Sequence, residues 1–281
     1  MASDLTRRTT SELAKPDAAA AAAPSTPPPV AQQHRRRFLA VYALLALAMV
    51  AAVVGVIVFA LNSIDPAPKW SSWRPSGGGM GAAQQIATQV GSAYRLQGGA
   101  QLVAVIPKPP SFATAPDKSV SISFLALRGR RGGIEKVNGV SSSNSMWYSL
   151  CGLGPSCSIA TGTPSVVRGA ILLREVFELA LYTFKYVGGV NQVLGFMPPP
   201  NAKKPPIVVY FERSDVDAEL KRPLTATLPA KVPTAETLSV GELKAIDRVT
   251  VPHLFRLDGI AQVQQGDWLL SLAPTARGTT P

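Results

Sequence analysis

The sequence predicts an α+β fold, with helices packed on one face of a mixed or antiparallel sheet, preceded by a single transmembrane helix and a disordered tail. Three features of the sequence support this fold class. A 24-residue apolar run stands near the N-terminus, a long helical pattern covers residues 163–187, and β-rich runs lie on both sides of that pattern. Because a helix buries one stripe and a sheet buries one face, packing the helices on one side of the sheet is the economical arrangement.

The apolar run extends from Phe38 to Leu61 and contains no charge, no proline and one glycine. At about 1.5 Å per residue it forms a helix of roughly 36 Å, enough to cross a hydrocarbon core of about 30 Å. Arg35, Arg36 and Arg37 precede the run, and positive residues stay on the cytoplasmic side. The predicted location is therefore the cell membrane, single-pass, with the N-terminus in the cytoplasm and the C-terminal domain outside. The alternative is a cleaved signal peptide, whose apolar region is usually about 7–15 residues long, so the sequence favours an uncleaved anchor.

Composition divides the chain into five predicted regions. They are a disordered cytoplasmic tail at 1–37, the transmembrane helix at 38–61, a Pro/Gly/Ser/Trp-rich spacer at 62–81, an extracytoplasmic α+β domain at 82–228 and a strand-rich C-terminal extension at 229–281. The tail is rich in alanine, proline, serine and threonine and cannot bury enough surface to offset the entropy of ordering. In the spacer, Trp70 and Trp73 are predicted at the membrane interface, where half-solvated indoles are favoured. The alternative is that these tryptophans pack on the domain.

Periodicity predicts the elements of the exported part. Helices are predicted at 82–96, 163–187 and 214–220 and from Ser239 onward. Strands are predicted at 101–106, 119–127, 134–140, 190–198, 207–212, 224–228, 259–263 and 268–272, and 107–116 is predicted to be a loop. On the longest helix, Arg168, Arg174, Glu175 and Glu178 are interpreted as a solvated polar strip with an i,i+4 ion pair.

Cys151 and Cys157 are the two cysteines of the chain, and the predicted topology places both outside the cytoplasm. An even number of cysteines in that setting usually indicates a disulfide. Two glycines and a proline lie between them, so the chain can turn enough to bring the Cα atoms within about 6 Å. Free thiols, a redox pair and a metal site are the alternatives. Metal binding is disfavoured because the spacing is too long for the usual ligand pairs and only His253 could join them.

A net charge of +11 favours anionic partners such as lipid headgroups, wall polymers or nucleic acid. The densest basic stretch of the exported part is RGRRGG at 128–133, so Arg128, Arg130 and Arg131 are the candidate anion contacts. This single stretch is interpreted as an exposed hairpin tip, and no nucleic-acid partner is predicted. The predicted partners are the lipid bilayer and either another envelope protein or an anionic wall polymer.

The sequence lacks the usual catalytic motifs. It contains no G-x-S-x-G, no H-E-x-x-H, no Walker A loop and no G-x-G-x-x-G after a strand. His253 is interpreted as a structural residue beside a proline, and Asp215 and Asp217 as acidic residues at a helix N-terminus. No cofactor, metal or catalytic residue is predicted, which favours a non-catalytic binding or accessory role in the cell envelope. The alternatives are a hydrolase acting on wall or lipid substrates through His253 or the acidic pairs, and a module that binds anionic wall polymer.

The segments MWYSLCGLGPSC and ELALYTFKYVGGVNQV, at 146–157 and 178–193, resemble single-pass membrane proteins of high-GC Gram-positive bacteria. The resemblance extends from Trp70 to about Leu228, and it implies an envelope location without implying an activity. The stretch ELALYTFKYVGGVNQVLGF is also similar to the helix-to-strand end of the GerMN domain of spore-germination and cell-envelope lipoproteins. We interpret that second similarity as a shared helix-to-strand turn.

Overall fold

The computed structural model describes residues 29–62, 69–115, 117–131, 134–201, 203–264 and 266–275. The chain divides into two compact units, Met1–Ala67 and Pro68–Pro281. The part of the predicted tail before residue 29 lies outside the described residues. From Pro29 onward the predicted tail is helical, so the N-terminal helix begins earlier than its apolar run.

The first unit contains helix α1 (Pro29–Asn62). Its segment Arg37–Val58 is long and apolar enough to cross a membrane by length and composition, and none of that segment is buried. Large apolar side chains such as Leu47 and Val56 are about 70 % exposed. Because monomeric soluble proteins rarely expose so continuous an apolar surface, a nonpolar environment is the natural one for this helix. A single such helix near the N-terminus would also fit a signal sequence.

The second unit is a mixed α+β structure with a nearly closed sheet. The described helices are α2 (Gly79–Ala93), α3 (Val166–Tyr186), α4 (Asp217–Lys221) and α5 (Val240–Thr250), with 3-10 turns at Pro155–Cys157, Arg213–Val216, Leu224–Ala226 and Val251–His253. The described strands are β1 (Ala104–Lys108), β2 (Ser111–Ala115), β3 (Lys118–Arg131), β4 (Ile134–Ser141), β5 (Ser145–Cys151), β6 (Gln192–Phe196), β7 (Ile207–Glu212), β8 (Leu254–Gln264) and β9 (Asp267–Pro274).

The strand order is β1-β5-β6-β7-β8-β9-β3-β2, with β4 paired to β3. The pairs β5–β6 and β3–β9 are parallel and the others antiparallel. Parallel neighbours need a long crossover, and α3 supplies it between β5 and β6. The predicted α+β class is therefore confirmed, and the sheet is of the mixed kind. Strands β8 and β9, from the predicted C-terminal extension, belong to this same sheet.

Two apolar cores lie on opposite faces of the sheet. One core combines residues of α2, α3 and α5 with Val209 and Phe211 of β7. The other consists of buried strand residues, including Val208 and Tyr210 of β7 and Trp147 of β5. Because successive strand residues point to opposite faces, one strand serves both cores. The helices therefore cover the outer face, and the second core fills the interior of the nearly closed sheet.

Four stretches of the chain differ from their predicted secondary structure. The predicted loop at 107–116 contains β2, and the predicted strand at 224–228 is a 3-10 turn. No strand was predicted for Ser145–Cys151, which forms β5. Met146, Trp147, Tyr148 and Leu150 are all buried, so β5 is covered on both faces and its sequence shows no period-2 alternation. The RGRRGG stretch also differs, because β3 continues through its first four residues.

Cys151 and Cys157 form the predicted disulfide, with their Cα atoms 4.3 Å apart. The enclosed loop turns through three non-glycine residues in the left-handed region, Leu153, Ser156 and Cys157. A Cβ on Gly152 would lie 2.5 Å from the carbonyl oxygen of Ser158, so glycine is required there. The disulfide therefore holds a tight turn directly after β5.

Replacing both cysteines by serine is expected to destabilise the second unit by about 2 kcal/mol, the loop-closure value for so short a loop. Denaturant unfolding of the full chain should show this loss, and reductant should destabilise the wild type but not the double variant. Equal unfolding midpoints for the two proteins under oxidising conditions would show that the disulfide does not contribute to stability.

Candidate functional site

A cleft of about 480 Å³ opens on the second unit. Its lining comes from the β3–β4 hairpin, from the end of β7 with the turn after it, and from the start of β8: Leu127, Arg128, Gly129, Lys136, Asn138, Tyr210, Glu212, Asp215, His253 and Phe255. Tyr210 is buried in the interior core, and Leu127 and Phe255 pack against it. The cleft therefore opens from the interior of the nearly closed sheet, a place where barrels commonly bind ligands.

One wall of the cleft carries carboxylates held in place by local hydrogen bonds. The Glu212 backbone N–H donates to Asp215 Oδ2 at 2.7 Å, and the Glu212 side chain accepts from the Asp215 backbone in return. This reciprocal capping starts the turn after β7 and fixes both acids beside the cleft. His253 completes this wall, with its Nδ1 3.5 Å from Asp215 Oδ2 and its ring 5.0 Å from that of Phe211.

Tyr210 forms the floor between the walls. Its hydroxyl donates to Glu212 Oε1 at 2.9 Å. Burial raises the pKa of Tyr210, and the hydrogen bond to Glu212 together with the charges of Glu212 and Asp215 raises it further. The phenol therefore stays protonated and acts as a donor. Phe255 meets the Tyr210 ring edge-on at 6.2 Å and extends this aromatic floor.

The opposite wall is basic and amide-bearing. Arg128 lines the cleft, but its guanidinium lies on the outer face of the sheet, where Nη1 is 3.2 Å from Asp258 Oδ2 and the same oxygen accepts from Ser271 Oγ. Lys136 and Asn138 are exposed on β4. Within the described part of the chain Lys136 makes no ion pair with an acidic side chain. The cleft therefore presents positive charge and amide groups on one side and carboxylates on the other.

The candidate anion contacts are only partly described. Arg128 lines the cleft. Arg130 and Arg131 lie at the end of β3, and the positions of their side chains are outside what the structure describes. Arg35 and Arg36 lie in α1 under the same restriction, whereas Arg37 is exposed.

Trp70 is buried on the second unit rather than left on an open spacer. Its ring meets those of Tyr182 and Tyr186 edge-on at 5.4 and 5.7 Å, and its backbone oxygen accepts from the Leu224 N–H at 2.7 Å. Trp73 packs beside it, 5.5 Å from the Tyr182 ring, and is partly exposed. Packing on the domain was the alternative that the sequence left open. Contact of either ring with lipid headgroups stays a prediction.

Sequence reasoning missed most of the cleft. His253 was interpreted as a structural residue and Asp215 as an acidic residue at a helix N-terminus, with a catalytic role left to the hydrolase alternative, and the structure brings the two side chains together. Asp217 instead pairs with Lys221 on α4 and does not line the cleft. Tyr210, Glu212 and Lys136 were not singled out. The only local signal was the alternation of β7, which places Val208, Tyr210 and Glu212 on the interior face and ends in a carboxylate.

The predicted solvated strip on α3 is wrong, because α2 and α5 pack against α3 and cover it. Arg174 is 1 % exposed and bridges three elements. It donates to Glu242 Oε1 of α5 at 3.0 Å, to the hydroxyl of Tyr94 at 2.6 Å and to the carbonyl of Pro229 at 2.7 Å. The predicted pair with Glu178 is present at 3.3 Å, but it lies within this buried network.

Glu175 lies next to this network and is fully buried. Neither of its carboxylate oxygens has a hydrogen-bond partner among the described residues. Burial, and secondarily the charge of Glu178, raises the pKa of Glu175 well above its ordinary value. The folded protein therefore retains a proton on Glu175 that the unfolded chain loses above about pH 4.3. The free energy of unfolding consequently falls as pH rises from that value toward the raised pKa.

Replacing Glu175 by glutamine is expected to reduce this loss of stability, because glutamine has no proton to release. The stability of the variant relative to the wild type should therefore increase with pH from pH 4 toward pH 7, by at most about 1.4 kcal/mol per pH unit, the slope for one proton. Denaturant unfolding across this range measures the difference. Glu236→Gln, at an exposed position, is the control and should leave the profile unchanged. Parallel pH profiles for Glu175→Gln and the wild type would contradict the prediction.

No protein-family model matches the chain, and neither the curated proteins nor the solved structures include a match. Nor do the described residues contain a group of three or more His, Cys, Asp or Glu side chains placed to hold a metal ion. The cleft is therefore interpreted from its own residues. The resemblance to single-pass membrane proteins of high-GC Gram-positive bacteria stays a prediction.

Proposed function

We propose that this chain is a single-pass membrane protein whose extracytoplasmic domain binds a component of the cell envelope without catalysing a reaction. The observation that carries the proposal is the charged cleft at the open end of the sheet. Its lining combines fixed carboxylates, basic and amide side chains and an aromatic floor, and the described lining residues include no serine, threonine or cysteine nucleophile. Such a concave site with a few positioned polar groups is typical of ligand binding.

The proposed topology rests on the first unit and on the disulfide. The apolar segment of α1 suits a membrane anchor, and the arginines before it favour a cytoplasmic N-terminus. The Cys151–Cys157 disulfide suits an oxidising compartment, which the cytosol usually is not. The ligand would therefore be met outside the membrane. Glu212 and Asp215 argue against a site for a purely anionic wall polymer, because they would repel it.

The test is retention of the full chain, reconstituted in nanodiscs, on isolated envelope material. The wild type should be retained. For the cleft variants Lys136→Ala and Glu212→Gln, the bound fraction should be at least about fivefold smaller than for the wild type, because each variant removes a charge-assisted contact. Lys244→Ala and Glu236→Gln are matched controls for charge, because both residues are exposed and do not line the cleft. Equal retention of cleft and control variants would overturn binding through the cleft.

A hydrolase is the second candidate, and the pairing of His253 with Asp215 in the cleft favours it. A carboxylate beside Nδ1 orients an imidazole, whose other nitrogen could then act as a general base toward water. Incubation of the full chain with envelope material should release soluble fragments if this candidate is correct, and His253→Gln should abolish the release. Absence of release by the wild type would eliminate the hydrolase and leave the binding role.

A further inference from the structure

The carboxylate wall of the cleft has acceptor capacity beyond its internal hydrogen bonds. Glu212 accepts from the Tyr210 hydroxyl and from the Asp215 backbone, and Asp215 Oδ2 accepts from the Glu212 backbone. An ionised carboxylate offers about four lone-pair sites on two oxygens, so each acid can accept further donors. An ammonium group carries three N–H donors and a positive charge, which makes it the natural partner for this wall.

The floor favours the same kind of group. Tyr210 and Phe255 line the cleft with aromatic side chains, and aromatic rings attract cations. The phenol of Tyr210 remains neutral and donates a hydrogen bond to Glu212, so it supplies no counter-ion for the negative charge of that carboxylate. A cation seated here would contact both the acids and the aromatic surface.

The facing wall requires the opposite charge. Lys136 supplies an exposed ammonium on β4, and Asn138, two residues further on the same face of that strand, supplies an amide. A purely cationic ligand would be repelled by Lys136, and a purely anionic one by Glu212 and Asp215. Only a ligand with both charges meets complementary groups on both walls.

We infer that the cleft binds a small zwitterion, with its ammonium group beside Glu212 and Asp215 and its carboxylate beside Lys136. The chemical class is an amino-acid or short-peptide group with a free amine and a free carboxylate. The volume of about 480 Å³ suits such a ligand, because sites for small molecules usually measure about 300–1,000 Å³. The inference rests on the proposed function and names the ligand of the same cleft.

The test uses three matched probes and the full chain in nanodiscs. Titration calorimetry would compare the dipeptide alanyl-alanine with N-acetyl-alanyl-alanine, which lacks the ammonium, and with alanyl-alanine amide, which lacks the carboxylate. The free dipeptide should bind, and each blocked form should bind at least about tenfold more weakly, because each loses a charge-assisted contact. Equal affinity for the free dipeptide and the N-acetyl form would overturn the inference for the carboxylate wall. Equal affinity for the free dipeptide and the amide form would overturn it for the wall that carries Lys136.

Variants assign each end of the probe to its wall. In Glu212→Gln, the free dipeptide should bind little better than the N-acetyl form. The free dipeptide should still bind more tightly than the amide form in that variant. Lys136→Gln should have the reverse effect, and Lys244→Gln should change neither. Asp215→Asn replaces Glu212→Gln if that variant fails to fold. Preferences that do not change in the cleft variants would overturn the placement of the ligand.

The outcome is separable from that of the proposed function. Cleft-dependent retention on envelope material without dipeptide binding would reject the zwitterion and keep the binding role. If the dipeptide binds but the cleft variants are retained on envelope material as well as the wild type, the zwitterion site stands and its role in binding the envelope is rejected. If the chain neither binds the dipeptide nor depends on the cleft for its retention, both the zwitterion site and the proposed function are rejected.

Discussion

Replacing Arg174 by alanine is expected to lower the free energy of unfolding by about 3–5 kcal/mol, the usual cost of removing one partner from a buried ion pair. Arg174 is 1 % exposed and contacts Glu178, Glu242, Tyr94 and the carbonyl of Pro229. Alanine would leave two largely buried carboxylates without their counter-ion and a carbonyl without its donor. The guanidinium also ties α3 to α5 and to the end of α2, so its loss weakens the packing of three helices.

The matched control is Arg222→Ala, which removes an exposed arginine that pairs with Glu219 at 3.2 Å. Exposed ion pairs contribute only about 0–1 kcal/mol, so this variant should unfold close to the wild type. Denaturant unfolding monitored by circular dichroism measures both. If Arg174→Ala and Arg222→Ala lower the free energy of unfolding by similar amounts, the buried contacts of Arg174 do not contribute more to stability than an exposed ion pair.

Replacing Gly195 by alanine is expected to cost about 3 kcal/mol, at the upper end of the range for overpacking a core. A Cβ on Gly195 would lie 2.4 Å from Cγ1 and 2.9 Å from Cγ2 of Val176. Gly195 is in β6 and Val176 in α3, so the absence of a side chain lets the helix approach the sheet closely. Alanine would push apart the two elements that build the outer core.

A second substitution tests this cause. Val176→Ala removes the two clashing methyl groups, so Val176→Ala/Gly195→Ala should be more stable than Gly195→Ala alone. Gly139→Ala in β4 is the control, because nothing lies within 4 Å of a Cβ there, and it should change stability by less than about 0.5 kcal/mol. A double variant less stable than Gly195→Ala would rule out the clash as the cause.

Local patterns predicted much of the fold. The β-branched and aromatic run of β7 was assigned with its observed bounds, and Ser239 accepts from the Glu242 N–H as the cap of α5. The hairpin β8–β9 and the disulfide were also predicted. These features depend on residues close together in the chain, and capping, turn and periodicity rules describe that range of sequence.

Features that depend on distant pairing were missed. Periodicity shows that Arg174 and Glu178 share a helix face, but not that another helix covers that face. The cleft joins Arg128, Glu212 and His253, which are remote in sequence and meet through the parallel pairing of β3 with β9 and the antiparallel pairing of β7 with β8 and of β8 with β9. Strand order is not encoded in any single segment, so the cleft residues could not be grouped from the sequence.

The most direct test of envelope binding through the cleft is photo-crosslinking in intact cells. A benzophenone side chain would replace Asn138, which lines the cleft, and in a second variant Lys244, which does not. The proposal predicts an adduct with envelope material from position 138 and none of that kind from position 244. Two outcomes would contradict the proposal. One is the same adducts from both positions, and the other is that position 138 forms adducts with cytoplasmic molecules and none with envelope material.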